Sequence, residues 1–351
     1  MAPASKATGV EASLLPRHTE ASEKRPSLHG AVFNVSTSII GAGIMSIPAT
    51  LKVLGVVPAL IMIVLIGIVV DISVEFMLRF TYTGESRTYA GLVRESFGRL
   101  GSVAVQICVM MTNLGCLIMY LIIIGDVLSG TGPEHLGVLQ EWFGIHWWNL
   151  RVVALLFIVL FVVLPLVLYR RVESLWLSSA VSVFLAVVFV GICSVMAIAA
   201  LIEGETKTPR ILPRLDNGVS FFNLFTAIPV IVTAFTFHFN GTNIDEFLFS
   251  RKRRLADDAY RFVLLSLALL ALAYVLAVAI PSIWYLFQFM GSTSAVCLAF
   301  IFPGAVVLRD IHGISTARDK IIAAMMIIIA VITSTIAIST NIYKMVVKNS
   351  V

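Results

Sequence analysis

The stretch NVSTSIIGAGIMSIPAT, from Asn34 to Thr50, is apolar enough to enter a membrane, but it contains residues that interrupt helices. Gly41 and Gly43 accept backbone conformations that other residues resist, and they let a ligand approach the main chain. Pro48 cannot donate a hydrogen bond within a helix. In a membrane, irregular backbone survives only where it lines a cavity or is covered by protein. The stretch therefore predicts a membrane helix broken at a binding site, while close helix packing through small residues is the alternative interpretation.

The composition of the whole chain indicates a membrane protein. Of its 351 residues, 59% are hydrophobic and 13% are charged, whereas about a quarter of the residues in soluble domains are charged. The apolar runs are continuous rather than alternating, which favours helices over a β-barrel. The net charge of +5 requires no nucleic acid, because basic residues gather at the ends of membrane spans. We therefore predict an all-α multi-span protein surrounded by lipids.

A hydrocarbon core of about 30 Å takes about 20 helical residues, and we predict nine spans with approximate boundaries. They lie approximately at Gly30–Leu51, Val56–Phe80, Ser102–Leu128, Leu150–Tyr169, Leu175–Ile202, Val219–Phe239, Tyr260–Phe289, Ser294–Leu308 and Lys320–Tyr343. The polar segment 1–28 is expected to be a disordered cytosolic tail. Residues 29–347 are then the transmembrane domain.

Charge in the connections predicts the orientation. Basic residues follow the second, fourth and sixth predicted spans and surround the start of the ninth, and the clearest group is Arg251–Arg254. The connection 130–149 contains three tryptophans but no lysine or arginine. Because positive loops stay in the cytosol, the N-terminus is predicted to be cytosolic. The C-terminus is predicted to lie on the outer or lumenal side.

A second interrupted span opens the second half of the chain. The stretch FNLFTAIPVIVTAFTFHFN, from Phe222 to Asn240, carries Pro229 inside an apolar run. Secondary transporters place substrate at broken helices in corresponding positions of two halves, where freed N–H groups hold a carboxylate and freed carbonyls hold a cation or an amine. The polar side chains expected to line such a site are Asn34, Thr37 and Ser46 in the first span and Thr233, Thr236 and His238 in the sixth.

Two further features concern a coupling ion. Asp71, Glu75 and Arg79 follow one another at helical spacing, so they can form an ion-paired ladder that anchors the span at the interface. A proton-relay role for Asp71 or Glu75 is the alternative. His238 is either a proton-sensitive coupling residue or a packing histidine. No enzyme motif is found, so we predict no enzymatic activity, no metal site and no cofactor other than a coupling proton or sodium ion.

The interrupted spans carry a family resemblance. The stretch Phe33–Gly55 resembles the first-span signature of the amino acid/auxin permease family, and Ala227–Asn240 resembles the sixth span. Within this family, the chain most resembles the plant vacuolar amino-acid transporters and the sodium-coupled neutral amino acid transporters. The resemblance implies a LeuT-type fold with two inverted repeats, here about 30–202 and 219–347. It also implies that amino-acid substrate meets the backbone of Ile40, Gly41, Ala42, Gly43 and Ile44, and that Asn34 belongs to a cation site.

The chain departs from this family in one respect. The family has eleven spans, and the stretch FHFNGTNIDEFLF, residues 237–249, is interpreted as a join that lacks family spans seven and eight. The sequence therefore favours two alternative functions. The first is proton-coupled secondary transport of amino acids across a vacuolar or other endomembrane. The second is that of a transport-inactive shortened isoform that regulates or competes with the full-length transporter. The sequence assigns neither the preferred amino acid nor an oligomeric state.

Overall fold

The computed structural model describes residues 41–86, 88–131, 136–168, 175–204, 209–213, 218–236, 259–280 and 282–349. Regular structure in these ranges is helical throughout. The helices are α1 Ala42–Leu54, α2 Val56–Thr83, α3 Tyr89–Ser129, α4 Val138–Phe143, α5 Arg151–Leu168, α6 Leu175–Ile202, α7 Gly218–Ala234, α8 Ala259–Ala279, α9 Ile283–Arg309 and α10 Ala317–Asn349.

The prediction of an all-α multi-span protein is confirmed. Seven of the described helices, α2, α3, α5, α6, α8, α9 and α10, are long and apolar enough to cross a membrane. The described parts of α1 and α7 are shorter, with 13 and 17 residues. Each of the nine predicted spans overlaps one of these nine helices. The predicted tail 1–28 and the predicted join at 237–249 lie outside the described residues.

The predicted boundary between the seventh and eighth spans is wrong. Helix α8 ends at Ala279 and α9 begins at Ile283, so the break lies about ten residues earlier than predicted. The Ser282 hydroxyl caps α9 by accepting a hydrogen bond from the N–H of Trp284 at 3.3 Å. The polar run Gly291–Ser294, which the prediction placed between the seventh span and the start of the eighth, lies inside α9 within a π-helical turn, Gly291–Ala295.

Helices α7 and α9 form the centre of the bundle. Two thirds of the apolar window of α9 is buried, whereas none of that of α6 is. Ala227, Val230 and Val232 of α7 are almost fully buried. Helix α7 packs against α1, α9 and α10. A central helix in a membrane protein needs little lipid-facing surface, so its polar groups must be satisfied by neighbouring helices or by a ligand.

Candidate functional site

Helices α1 and α7 pack against each other in opposite directions. Gly55, at the end of α1, lies against the backbone of Ile211 and Leu212, and the N–H of Val56 donates to the carbonyl of Arg210 at 2.9 Å. Because the segment 209–213 precedes α7 by only a few residues, the C-terminus of α1 lies near the start of α7. The N-terminus of α1 therefore points towards the C-terminal end of α7.

A contact on α2 supports this arrangement. Phe235, the first residue after α7, has its ring 3.8 Å from the position that a Cβ on Gly67 would occupy. Gly67 lies twelve residues after the Gly55 turn along α2, and Ala42 lies thirteen residues before it along α1. Since α1 and α2 pack against each other on either side of that turn, Ala42 and Phe235 lie at the same level of the bundle.

The N-terminus of α1 and the C-terminus of α7 lie at the same end of the bundle and have opposite polarity. Helix α1 begins after Gly41, an N-cap residue that has no side chain with which to cap the helix. Helix α7 ends at Ala234, where the N–H of Phe235 bonds to the carbonyls of Ile231 and Val232 at 3.2 and 3.1 Å. A helix N-terminus carries partial positive charge and a C-terminus partial negative charge. The pair can therefore hold an anionic group at one terminus and a cationic group at the other.

The predicted substrate-binding residues fall partly at this end. Gly41 is half-buried and Ser46 is buried in α1, while Ala42, Gly43 and Ile44 supply the backbone of its first turn. Ile40 and the predicted ion-coupling residues Asn34, Thr37 and His238 lie outside the described residues. Their roles stay predictions.

The two predicted threonines bond to their own helix. The hydroxyl of Thr233 donates to the carbonyl of Pro229 at 2.9 Å, and that of Thr236 donates to the carbonyl of Val232 at 2.7 Å. Such back-bonding satisfies a hydroxyl proton inside a helix and leaves the oxygen lone pairs available as acceptors. Thr236 lies just beyond the end of α7, at the level of the α1 N-terminus.

The structure does not place Asp71 at the end of the bundle where α1 begins and α7 ends. It is exposed on the surface of α2. One turn further on, Glu75 pairs with Arg79, and Arg79 also reaches Asp319 of α10 at 3.3 Å. This link between the C-terminal end of α2 and the N-terminal end of α10 favours the interpretation of the ladder as an interface anchor. The coupling role of Asp71 stays untested.

The π-helical turns of α9 are a feature that the sequence analysis missed. Because Pro303 has no N–H, the carbonyl of Ala299 lacks its usual helical donor, and it accepts the Ser73 hydroxyl of α2 instead. The carbonyl of Leu298 accepts the buried Tyr89 hydroxyl at 2.7 Å. These bonds fix the second π-helical turn, Cys297–Ile301, to α2 and α3. Turns of this kind occur frequently at functional sites.

The first π-helical turn lies directly on α7. A Cβ on Gly291 would overlap the carbonyl group of Pro229, so only glycine allows the two backbones to come this close. On α3, the hydroxyl of Thr112 donates to Ser294 at 2.9 Å. The signal in the sequence was the run GSTSA, which is typical of close helix packing but also of a polar loop.

Together these features define a polytopic α-helical membrane protein in which two short described helices, α1 and α7, pack against each other beside a buried central helix. The chain belongs to the transmembrane amino acid transporter protein family, whose match covers residues 24–256. The predicted family is thereby confirmed, and the chain belongs to a family of transporters rather than of enzymes. No solved structure matches it significantly.

Several curated relatives align with nearly the whole chain. Amino acid transporter AVT6C of Arabidopsis thaliana is 47% identical over 428 residues, covering 96% of this chain and 98% of the relative. Amino acid transporter AVT6A of the same plant is 37% identical over 92% of this chain and 90% of the relative. Vacuolar amino acid transporter 2 of Saccharomyces cerevisiae is 27% identical over 67% of this chain and 47% of the relative.

The lengths of these alignments differ from the length of the chain. The alignment with AVT6C runs over 428 residues, whereas the chain has 351. At least 77 aligned residues of the relative, the difference of the two numbers, therefore have no counterpart here. Since the alignment reaches 98% of the relative, the unmatched residues lie within the aligned region rather than at its ends.

Proposed function

We propose that the protein moves amino acids across a membrane by secondary active transport, with the substrate held between the N-terminus of α1 and the C-terminal end of α7. The observation that carries this proposal is the meeting of two helix termini of opposite polarity at one level of the bundle. A free amino acid is a zwitterion, with a carboxylate and an ammonium group on one carbon. The pair of termini offers complementary partners to both groups.

In this proposal the backbone of Gly41 to Ile44 binds the carboxylate, because the first N–H groups of a helix have no partner within it. The carbonyls of the last turn of α7 and the oxygen of Thr236 accept from the ammonium group. Movement is coupled to protons, with Asn34, Thr37, His238 and Asp71 as the candidate ion-coupling residues. The small side chains in both helices suit small neutral amino acids.

We place the protein in the vacuolar or another endomembrane, with its N-terminus in the cytosol. The alternating basic connections support this orientation. The name of the yeast relative, a vacuolar amino acid transporter, supports the choice of membrane.

Uptake by proteoliposomes tests the proposal. Purified protein is reconstituted, a pH gradient is imposed, and uptake of a mixture of labelled amino acids is compared with that of empty vesicles. Gly41→Val puts a branched side chain at the start of α1, where it blocks the approach of a carboxylate. The matched control is Gly191→Val, since a Cβ there meets nothing within 4 Å.

We expect gradient-dependent uptake by the unmodified chain and by Gly191→Val, and none by Gly41→Val. Equal uptake by all three proteins would show that substrate does not use the N-terminus of α1. Equal uptake with and without the pH gradient would argue against proton coupling. Absence of uptake by folded, inserted protein would favour a second function.

That second function is a transport-inactive form that regulates or competes with a longer transporter. The 77 or more residues without counterpart in this chain favour it, since two spans with their connections need about that many residues. We place the gap at the join between Asn240 and Asn243, shortly before the family match ends at residue 256. Messenger RNA that encodes this join without the additional residues would support the assignment, and transcripts that all encode them would contradict it.

A further inference from the structure

Two cysteines face each other between α3 and α9. The chain contains four cysteines, Cys108, Cys116, Cys193 and Cys297, and all four are free thiols. The thiols of Cys108 and Cys297 are hydrogen-bonded to each other. Both residues are half-buried, so neighbouring helices enclose the pair without sealing it from small molecules.

A neighbouring hydrogen bond fixes the alignment of the two helices at this pair. The hydroxyl of Thr112 donates to that of Ser294 at 2.9 Å. Cys108 lies four residues before Thr112, and Cys297 lies three residues after Ser294. Because the third and eighth predicted spans run in opposite directions, both cysteines lie about one helical turn from that bond and on the same side of it.

The close approach of α3 and α9 suits a disulfide, which requires Cα atoms about 4.4–6.8 Å apart. A Cβ on Gly115 of α3 would overlap the side chain of Met290 of α9, so the two helices leave no gap here. The other two cysteines are not matched in this way. Cys116 lies eight residues after Cys108, about 12 Å along α3, and Cys193 is exposed on α6.

The position of the pair connects it to the candidate site between α1 and α7. Cys297 is the first residue of the second π-helical turn of α9. Through Gly291, the first π-helical turn contacts Pro229 of α7, and α3 packs against both turns. Alternating access in secondary transporters moves one group of helices against another. A covalent bond between α3 and α9 therefore restricts the movement of α9, and of α7 that packs on it, relative to α3.

Hydrogen peroxide is an oxidant that can reach such a pair, because it is small and uncharged. The sulfur of one thiol attacks one oxygen of the peroxide, the O–O bond breaks, and a sulfenic acid and a water molecule form. The sulfur of the second thiol then attacks the sulfenic sulfur, and the S–O bond breaks as the S–S bond forms. The hydroxyl leaves with the proton of the second thiol as another water molecule. In sum, two thiols are oxidised to one disulfide and one peroxide is reduced to two water molecules.

We propose that Cys108 and Cys297 form a redox site, at which hydrogen peroxide converts the two thiols into a disulfide that fixes α3 to α9 and stops transport. Formation of the disulfide depends only on the geometry of the pair, whereas the effect on transport rests on the proposed function. A dithiol reductant restores both thiols by thiol–disulfide exchange, so the modification is reversible.

Two double variants test the site, and each retains two of the four cysteines. The variant with Cys116→Ser and Cys193→Ser keeps the proposed pair. The variant with Cys108→Ser and Cys297→Ser keeps the other two cysteines and is the matched control. Both are purified in detergent and treated with hydrogen peroxide. The remaining thiols are then counted by alkylation and intact mass.

We expect no alkylated thiol in the variant that keeps the pair and two in the control. Trypsin should then release residues 100–151 and 262–309, which contain Cys108 and Cys297, as one product that separates on reduction. Two alkylated thiols in both folded variants would overturn the proposal and leave the pair a packing contact. Oxidation of single cysteines to sulfinic acid without a link would also overturn it, since the two sulfur atoms would then be out of reach of each other.

Uptake by proteoliposomes measures the consequence of the disulfide. Peroxide should abolish gradient-dependent uptake by the variant that keeps the pair, dithiothreitol should restore it, and the control should keep its uptake throughout. Unchanged uptake by protein that carries the disulfide would overturn the effect on transport. Absence of uptake before oxidation would contradict the proposed function and, with it, this effect, whereas the thiol count would still decide whether the disulfide forms.

Discussion

Gly55 is the residue on which the turn between α1 and α2 depends. Its φ of +81° lies in the region that favours glycine, and a Cβ there would lie 2.8 Å from the backbone of Leu212. We expect Gly55→Ala to lower the free energy of unfolding by about 1–3 kcal/mol, seen as a lower melting temperature in detergent. Gly191→Ala, in an open helical position, should be neutral or stabilising. Equal melting temperatures for the two variants would contradict the tight turn.

Asp310 stabilises the connection between α9 and α10. Partial burial of its carboxylate opposes ionisation, but hydrogen bonds from Lys320 and from the N–H groups of Ser315 and Ile314 outweigh burial and hold the pKa of Asp310 below its ordinary value. A lowered pKa means that its contribution to stability is present above the ordinary value of about 4 and is lost as the pH falls through the folded value.

Asp310 has a left-handed backbone, with a φ of +43°, which asparagine also tolerates. The substitution Asp310→Asn should therefore lower stability at pH 7 by on the order of 1 kcal/mol through the loss of the charge. The variant should also lose less stability than the unmodified chain between pH 5 and pH 3, a range set about the ordinary pKa of about 4. Thermal unfolding at a series of pH values measures both effects. Parallel pH profiles for the two proteins would show that this carboxylate does not contribute.

At the scale of elements, α9 shows the limit of the sequence analysis. Continuous apolar runs predicted nine spans that all overlap helices, because long apolar runs leave few alternatives to a helix in lipid. The predicted boundary between the seventh and eighth spans fell at the polar run GSTSA, residues 291–295, although that run continues a helix. In the structure, the hydroxyls of Ser292 and Thr293 donate to carbonyls four residues earlier, at 2.7 and 2.6 Å, so polar residues lie inside a buried helix.

The candidate site, like the fold, could be predicted only in part. Glycine and proline in two corresponding spans predicted where helices are interrupted, and α1 begins at Ala42, directly after Gly41. The hydrogen bonds from Ser73 and Tyr89 to α9 could not be predicted, because each joins residues more than 200 positions apart. A single sequence contains no signal for such a pairing.

The link between α2 and α9 yields a prediction for a pair of residues. Ser73→Ala removes the donor from the carbonyl of Ala299, which should cost about 1–3 kcal/mol. Pro303→Ala restores a backbone N–H that can bond to the same carbonyl. We therefore expect Ser73→Ala to cost less in the Pro303→Ala background, with a coupling energy of at least about 0.5 kcal/mol in a double-mutant cycle. Additive losses in melting temperature would contradict the exchange of donors.

At the scale of the whole molecule, the nine predicted spans are an odd number and therefore predict that the two termini lie on opposite sides of the membrane. Protease protection of tags on sealed vesicles should show a cytosolic N-terminus and a protected C-terminus. The acceptor pattern Asn240-Gly241-Thr242 is predicted to face the cytosol and to carry no glycan. A glycosidase-sensitive mass shift that disappears in Asn240→Gln would reverse the predicted orientation of this half.

The residues absent relative to AVT6C provide the last test. Two additional spans at the join leave the direction of every later span unchanged, because an even number of crossings returns the chain to the same side. We insert the unmatched residues of AVT6C between Asn240 and Asn243 and expect the C-terminal tag to stay protected. If the shortened chain is inactive, the insertion should also produce gradient-dependent uptake. An exposed C-terminal tag would mean that the inserted residues cross the membrane an odd number of times, and the join would then lie elsewhere in the chain.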